Sequence, residues 1–146
     1  MIVMRFLDTN VLLYAVSRAP AEAAKNARAL TLLDADDWVI SMQVLQEFYV
    51  QATRATKTDR ITTQQAVALI ESWLRFRVQE ITVPILLAAL QSSVCYQLSY
   101  WDAAILEAAR QIIRLEGMTD YARGITLSVG TISGGSASNV IPEHAN

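Results

Sequence analysis

Three acids in distinctive settings are the residues of this chain best placed to do chemistry. Asp8 closes an apolar run in Phe6-Leu7-Asp8-Thr9-Asn10-Val11-Leu12. Glu47 lies within Ser41-Met42-Gln43-Val44-Leu45-Gln46-Glu47-Phe48-Tyr49, and Asp102 opens the helical pattern of Ser99-Tyr100-Trp101-Asp102-Ala103-Ala104-Ile105. None has a lysine or arginine where local helix geometry would offer a partner. A carboxylate in apolar surroundings is costly unless its charge is compensated. A shared divalent cation is one form of compensation, and Mg²⁺ or Mn²⁺ prefers oxygen donors while keeping several waters. Such an ion lowers the pKa of a bound water and neutralises charge on a phosphodiester under attack. Taken singly, each acid also has an ordinary reading. Asp8 suits an Asx-type turn before a helix. Asp102 suits the third position of a capping box begun by Ser99. Glu47 suits an exposed helix face.

The elements that position these acids follow from periodicity. Ile2 to Leu7 reads as a short buried strand ending in turn-prone residues. A helix is expected from about Val11, and another over Ala21 to Asp34 with Ala23, Ala27, Leu30 and Leu33 as its apolar face. Trp38-Val39-Ile40 is a brief strand, after which Ser41 caps a helix to about Arg54 with Val44, Leu45, Phe48 and Ala52 inward. Thr62 or Thr63 caps the next, with Val67, Ile70 and Leu74 at core spacing. Gln79 to Thr82 reads as a strand, and Pro84 suits the first turn of a helix to about Cys95. Ser99 to Leu115 is the clearest helix, with Trp101, Ile105, Ala108, Ile112 and Leu115 in phase. Alternating strands and helices point to an α/β domain with a parallel sheet. Sheets of this kind bind ligands beyond the carboxyl ends of their strands, where Asp8 falls.

Composition narrows the classes. The 146 residues are 53% hydrophobic and 18% charged, enough for one domain with a substantial core. A net charge of −2 lacks the basic signature of a nonspecific nucleic-acid binder, while leaving room for an enzyme that meets nucleic acid through metal and a local patch. Arg54, Lys57 and Arg60 offer such a patch for an RNA backbone, or serve as solvated cations at a helix C-terminus. The single cysteine, Cys95, excludes an internal disulfide, fits a reducing cytoplasm, and is expected to be a buried structural thiol. The sequence shows neither a signal-peptide pattern nor an apolar run near the roughly 18 residues that span a bilayer. His144, the one histidine, lies near the C-terminus, which disfavours histidine-based catalysis. All five glycines come after Leu115, so no glycine-rich phosphate loop precedes that point. Ile125 to Val129 reads as a strand, and 130–146 as a flexible or irregular tail after a domain spanning 1–129.

Leu7-Asp8-Thr9-Asn10-Val11-Leu12, the Glu47 helix and Tyr100-Trp101-Asp102-Ala103-Ala104-Ile105 together resemble the PIN domain, most closely the VapC-type toxins of bacterial toxin–antitoxin modules. The resemblance covers residues 1 to about 115. It implies a three-layer α/β/α sandwich around a short parallel sheet and an endoribonuclease dependent on Mg²⁺ or Mn²⁺. It also implies an RNA substrate, a homodimer and a cognate antitoxin that occludes the site. Asp8, Glu47 and Asp102 match the family's metal-binding acids, and Thr9 and Asn10 match residues supporting the first. The family's fourth acid follows the Asp102 helix in a Ser-Glu-Asp-like motif that is missing here. Asp120, in Thr119-Asp120-Tyr121, is the nearest substitute, ahead of Glu116. This atypical C-terminal segment favours a rival reading, a degenerate PIN domain that binds an antitoxin without cutting RNA. A phosphatase with an aspartyl nucleophile fits less well, because Asn10 stands where its second acid belongs.

Overall fold

The computed structural model describes residues 2–115, 125–130 and 138–140. In chain order the elements are β1 (Ile2–Leu7), α1 (Thr9–Val16), α2 (Ala23–Leu33), β2 (Trp38–Ser41), α3 (Met42–Ala52), α4 (Thr63–Trp73), β3 (Arg77–Gln79), α5 (Val83–Tyr96), α6 (Tyr100–Leu115), β4 (Ile125–Gly130) and β5 (Ser138–Val140). The sheet runs β3-β2-β1-β4-β5. Its first four strands are parallel and β5 is antiparallel to β4. β1 is therefore central, and the strand order reverses beside it. That is where an open α/β sheet forms a ligand crevice.

Period-two alternation divides the core between the two faces of the sheet. Leu7, Trp38 and Ile40 join a cluster with Val11 and Leu12 of α1, Ala29 and Leu33 of α2, Phe48 of α3 and Trp73 of α4. Phe6 and Val39 point the other way and pack on Leu106, Ala109 and Ile112 of α6. α5 reaches α6 through Ala89, Ala103 and Ala104, whose small side chains allow the helices to approach closely. These three layers form the expected α/β/α sandwich. Phe48 meets Trp73 edge to face, with centroids 4.7 Å apart.

The caps follow the sequence. Ser41 Oγ accepts from the Val44 amide at 3.3 Å. Thr62 and Gln65 form a reciprocal capping box. Pro84 lies in the first turn of α5, which ends at Gln97 in the left-handed conformation (φ 55°, ψ 39°). Other expectations need correction. In α2 the buried positions are Ala29 and Leu33, while Ala23, Ala27 and Leu30 are exposed. The inward face carries Asn26, whose Nδ2 donates to the carbonyls of Tyr14 at 2.9 Å and Ala15 at 3.0 Å. In α4 the buried stripe is Ala66 and Trp73, which leaves Val67 and Leu74 in solvent. β3 begins two residues earlier than expected, and Cys95 is exposed instead of buried. β4 covers the expected strand, and β5 falls within the segment read as a tail. The rest of that tail, with His144, lies outside the described residues. Among the described residues no helix is long and apolar enough to cross a membrane.

Candidate active site

Asp8 occupies the N-cap position of α1 with extended backbone (φ −86°, ψ 152°), yet its side chain makes no capping hydrogen bond to the helix. The half-buried carboxyl is pushed above its ordinary value, first by desolvation. The Thr9 amide opposes this, the Glu47 charge adds to it, and the amide and side chain of Asn10 again favour the charged form. Asp8 and Glu47 therefore feel each other electrostatically, although 39 positions apart in sequence. The parallel pairing of β1 and β2 explains their approach. Both strands end at one edge of the sheet, and α3 leaves β2 immediately.

Glu47 is fixed from two sides. Thr9 Oγ1 donates to its Oε2 at 2.7 Å, and Gln43 Nε2 donates to its Oε1 at 3.0 Å. Thr9 thus serves both acids, its amide acting on Asp8 and its buried hydroxyl on Glu47. Gln43 was not singled out from the sequence, although its position one turn before Glu47 is the spacing at which helical side chains meet.

Asp8, Thr9, Gln43 and Glu47 line one wall of a cavity of about 180 Å³. Trp101, Ala104, Ile105 and Ala108 of α6 form the facing wall. Those positions make one stripe of a 3.6-residue period, and Asp102 lies about 100° round the helix from Trp101. Asp102 is consequently exposed and outside the cavity lining. Its amide donates to Ser99 Oγ at 3.1 Å, and the Ser99 hydroxyl donates back to its Oδ2 at 2.7 Å. The capping expectation for Asp102 thus holds in altered form, with the carboxylate meeting the hydroxyl of Ser99 instead of its amide.

The structure brings Asp8 and Glu47 together with the Thr9 hydroxyl, and leaves Asp102 exposed on another face of α6, outside the cavity lining. Among the described residues, no three acidic, histidine or cysteine side chains form a group able to hold a metal ion. Asp120 lies outside the described residues. The Asp8–Glu47 pair still has the chemistry of a hard-cation site, with oxygen donors and mutual repulsion that a cation relieves. It fits Mg²⁺ or Mn²⁺ as a partial ligand set, with water completing the shell. Arg54 and Lys57 do not line this cavity; they border a larger cleft beyond Asn10, where Lys57 pairs with Asp59 at 3.6 Å.

Comparison with known families identifies the framework. The model of the PIN domain matches residues 5–113, well over half of the chain. This chain belongs to the PIN domain family. The crystal structure of Mycobacterium tuberculosis VapC20, described as a sarcin-ricin-loop-cleaving toxin, resembles the PIN domain described here with a TM-score of 0.53. It is 22% identical, and the match covers 77% of this chain and 83% of that one. At this identity the likeness is one of fold. A second family model, the peptidase dimerisation domain, matches residues 100–146. It covers less than half of the chain, overlaps the PIN match along α6, and takes in the compositionally distinct segment after Leu115. No functionally curated protein matches the chain.

Proposed function

We propose that this PIN domain is a metal-dependent endoribonuclease of the VapC toxin type, held in check by a cognate antitoxin. The observation that carries this is the Asp8–Glu47 pair at the carboxyl edge of the sheet, with Asp8 destabilised by burial and by Glu47. Asp8 and Glu47 would hold Mg²⁺ or Mn²⁺, with Asp102 contributing after a change of rotamer away from Ser99. When bound, the ion supplies an activated water and charge neutralisation at the scissile phosphate. The chain's own residues do the rest. Thr9 and Gln43 fix the Glu47 carboxylate so that it can orient a water or take its proton. Asn10 steadies the charged form of Asp8. The apolar wall of Ala104, Ile105 and Ala108 limits competing water. Asp120 is retained as a candidate fourth acid, and Arg54 and Lys57 as RNA contacts. A homodimer and a cytoplasmic location accompany this reading.

Labelled structured RNA incubated with purified protein and Mn²⁺ tests it. Cleavage that Glu47→Gln and Asp8→Asn both abolish is expected. The rival, a binding module without nuclease activity, is favoured by the one observation that Asp102 stands outside the cavity. Absence of cleavage by the unsubstituted protein, together with retained metal and antitoxin binding, would establish the rival.

A further inference from the structure

Beyond Asn10 the surface opens into a cleft of about 770 Å³, bounded by α1, the α1–α2 connection, the end of α3 and the loop that follows it. Its charges are unevenly compensated. Of the two acids in its wall, Glu22 accepts a hydrogen bond from the Ser17 hydroxyl, and Asp59 pairs with Lys57 at 3.6 Å. Arg18 and Arg54 also line the cleft, both exposed, and neither makes an ion pair or a side-chain hydrogen bond among the described residues. Two guanidiniums without an ion-pair partner thus share a lining of three cations and two carboxylates, a local excess of positive charge in a chain whose net charge is −2. Guanidinium is the side-chain group best matched to phosphate, which it binds through paired N–H donors. Gln51, Thr56 and Thr58 add neutral donors and acceptors to the same lining, suited to ribose hydroxyls. Asn10 connects this cleft to the acids, because it lines the cleft while its side chain acts on Asp8.

We propose that the cleft carries the sugar-phosphate backbone of an RNA strand on one side of the scissile bond, with Arg18 and Arg54 as its phosphate contacts and Asn10 at the junction with the acid pair. This rests on the reading of the chain as a ribonuclease, and it adds Arg18, which lies in the extended connection Ser17-Arg18-Ala19 between α1 and α2 and belongs to no motif. The lining mixes apolar residues, Leu13, Tyr14 and Pro20 among them, with polar ones, so it is the unpaired guanidiniums that select the occupant. Charge complementarity favours RNA.

The test uses the Asp8→Asn protein, metal-free, with a fluorescein-labelled single-stranded RNA, followed by anisotropy between 50 and 200 mM NaCl. Each phosphate contact on a single strand contributes about 0.7 to the slope of log K against log salt. Arg18→Gln with Arg54→Gln should therefore reduce the slope by about 1.4, and each single variant by about 0.7. Arg28→Gln, an exposed cation outside the lining, should leave it unchanged. In the active protein the double variant should raise KM and leave kcat nearly constant. An unchanged slope and KM would overturn the proposal even if cleavage is confirmed. Salt-dependent RNA binding lost in the double variant, from a protein that never cleaves, would uphold the cleft and sink the nuclease reading. Loss of oligoglutamate binding with RNA binding intact would mark the cleft as a docking groove for an acidic protein segment, and would also overturn it.

Discussion

Thr9→Val tests the organisation of the site through one hydrogen bond. Thr9 is 5% exposed, and its hydroxyl donates to Glu47 at 2.7 Å. A hydrogen bond to a charged group contributes roughly 1.5–3 kcal/mol. Two effects reduce the loss here. Glu47 is only partly buried and keeps its bond from Gln43, so water can take the vacated position. Valine has nearly the volume of threonine and leaves no cavity. The net destabilisation should be about 1 kcal/mol, which for a domain of this size is a fall in Tm of about 3 °C. Urea denaturation followed by circular dichroism measures it. A cycle with Glu47→Gln should return a coupling of at least about 0.5 kcal/mol, as expected for directly bonded partners. Loss of a fixed Glu47 orientation should also lower kcat by about fivefold, a barrier increase near 1 kcal/mol. A Thr9→Val protein with unchanged stability, zero coupling and full activity would show that Glu47 is held by other means and that Thr9 is an ordinary helix-start residue.

Asp8→Asn should abolish RNA cleavage yet melt higher than the unsubstituted protein at pH 7. The sign follows from the raised carboxyl of Asp8: its contribution is favourable below the ordinary value of 3.8 and is lost as pH rises through the raised one, so the Asn advantage should vanish in acid melts. Millimolar Mn²⁺ should raise the Tm of the unsubstituted protein, by about 2.7 kcal/mol of added stability at a hundredfold excess over Kd, and should raise that of Asp8→Asn far less in the same calorimeter scan. Ser99→Ala removes the bond to the Asp102 amide and should destabilise α6 by about 1 kcal/mol in a denaturant titration. Phe48→Ala, fully buried against Trp73, should lose about 3–5 kcal/mol, enough to unfold a marginal domain by circular dichroism.

Local rules carried the sequence a long way. Ser41, Thr62 and Pro84 marked helix starts because capping is decided within one turn. The stripe Val44, Leu45, Phe48 and Ala52 was readable because it is apolar throughout. α2 and α4 were misassigned to neighbouring faces, since their inward sides include Asn26 and alanines that give a weak periodic signal. The acids show the same limit. Asp8 and Glu47 meet because two parallel strands end together, an arrangement that resemblance to a family supplies and local pattern does not. The outward turn of Asp102 depends on which side of α6 packs on Phe6 and Val39, and Arg18 gains meaning only from the loop facing it across the cleft.

The division of the core has a further consequence. Asp8 and Glu47 are anchored by the cluster of β1, α1, α2, α3 and α4, whereas Asp102 rides on α6, which packs on the opposite face of the sheet through Leu106, Ala109 and Ile112 and on α5 through Ala89, Ala103 and Ala104. The two sets of acids therefore belong to separately packed layers of one molecule. Protein layers open with their own free energies, set by the apolar contacts each one buries. On the proposed reading, loosening α6 would displace Asp102, the candidate third acid, while leaving Asp8 and Glu47 assembled. Substitutions on the α6 side of the sheet would then probe the part proposed for Asp102 separately from the Asp8–Glu47 pair.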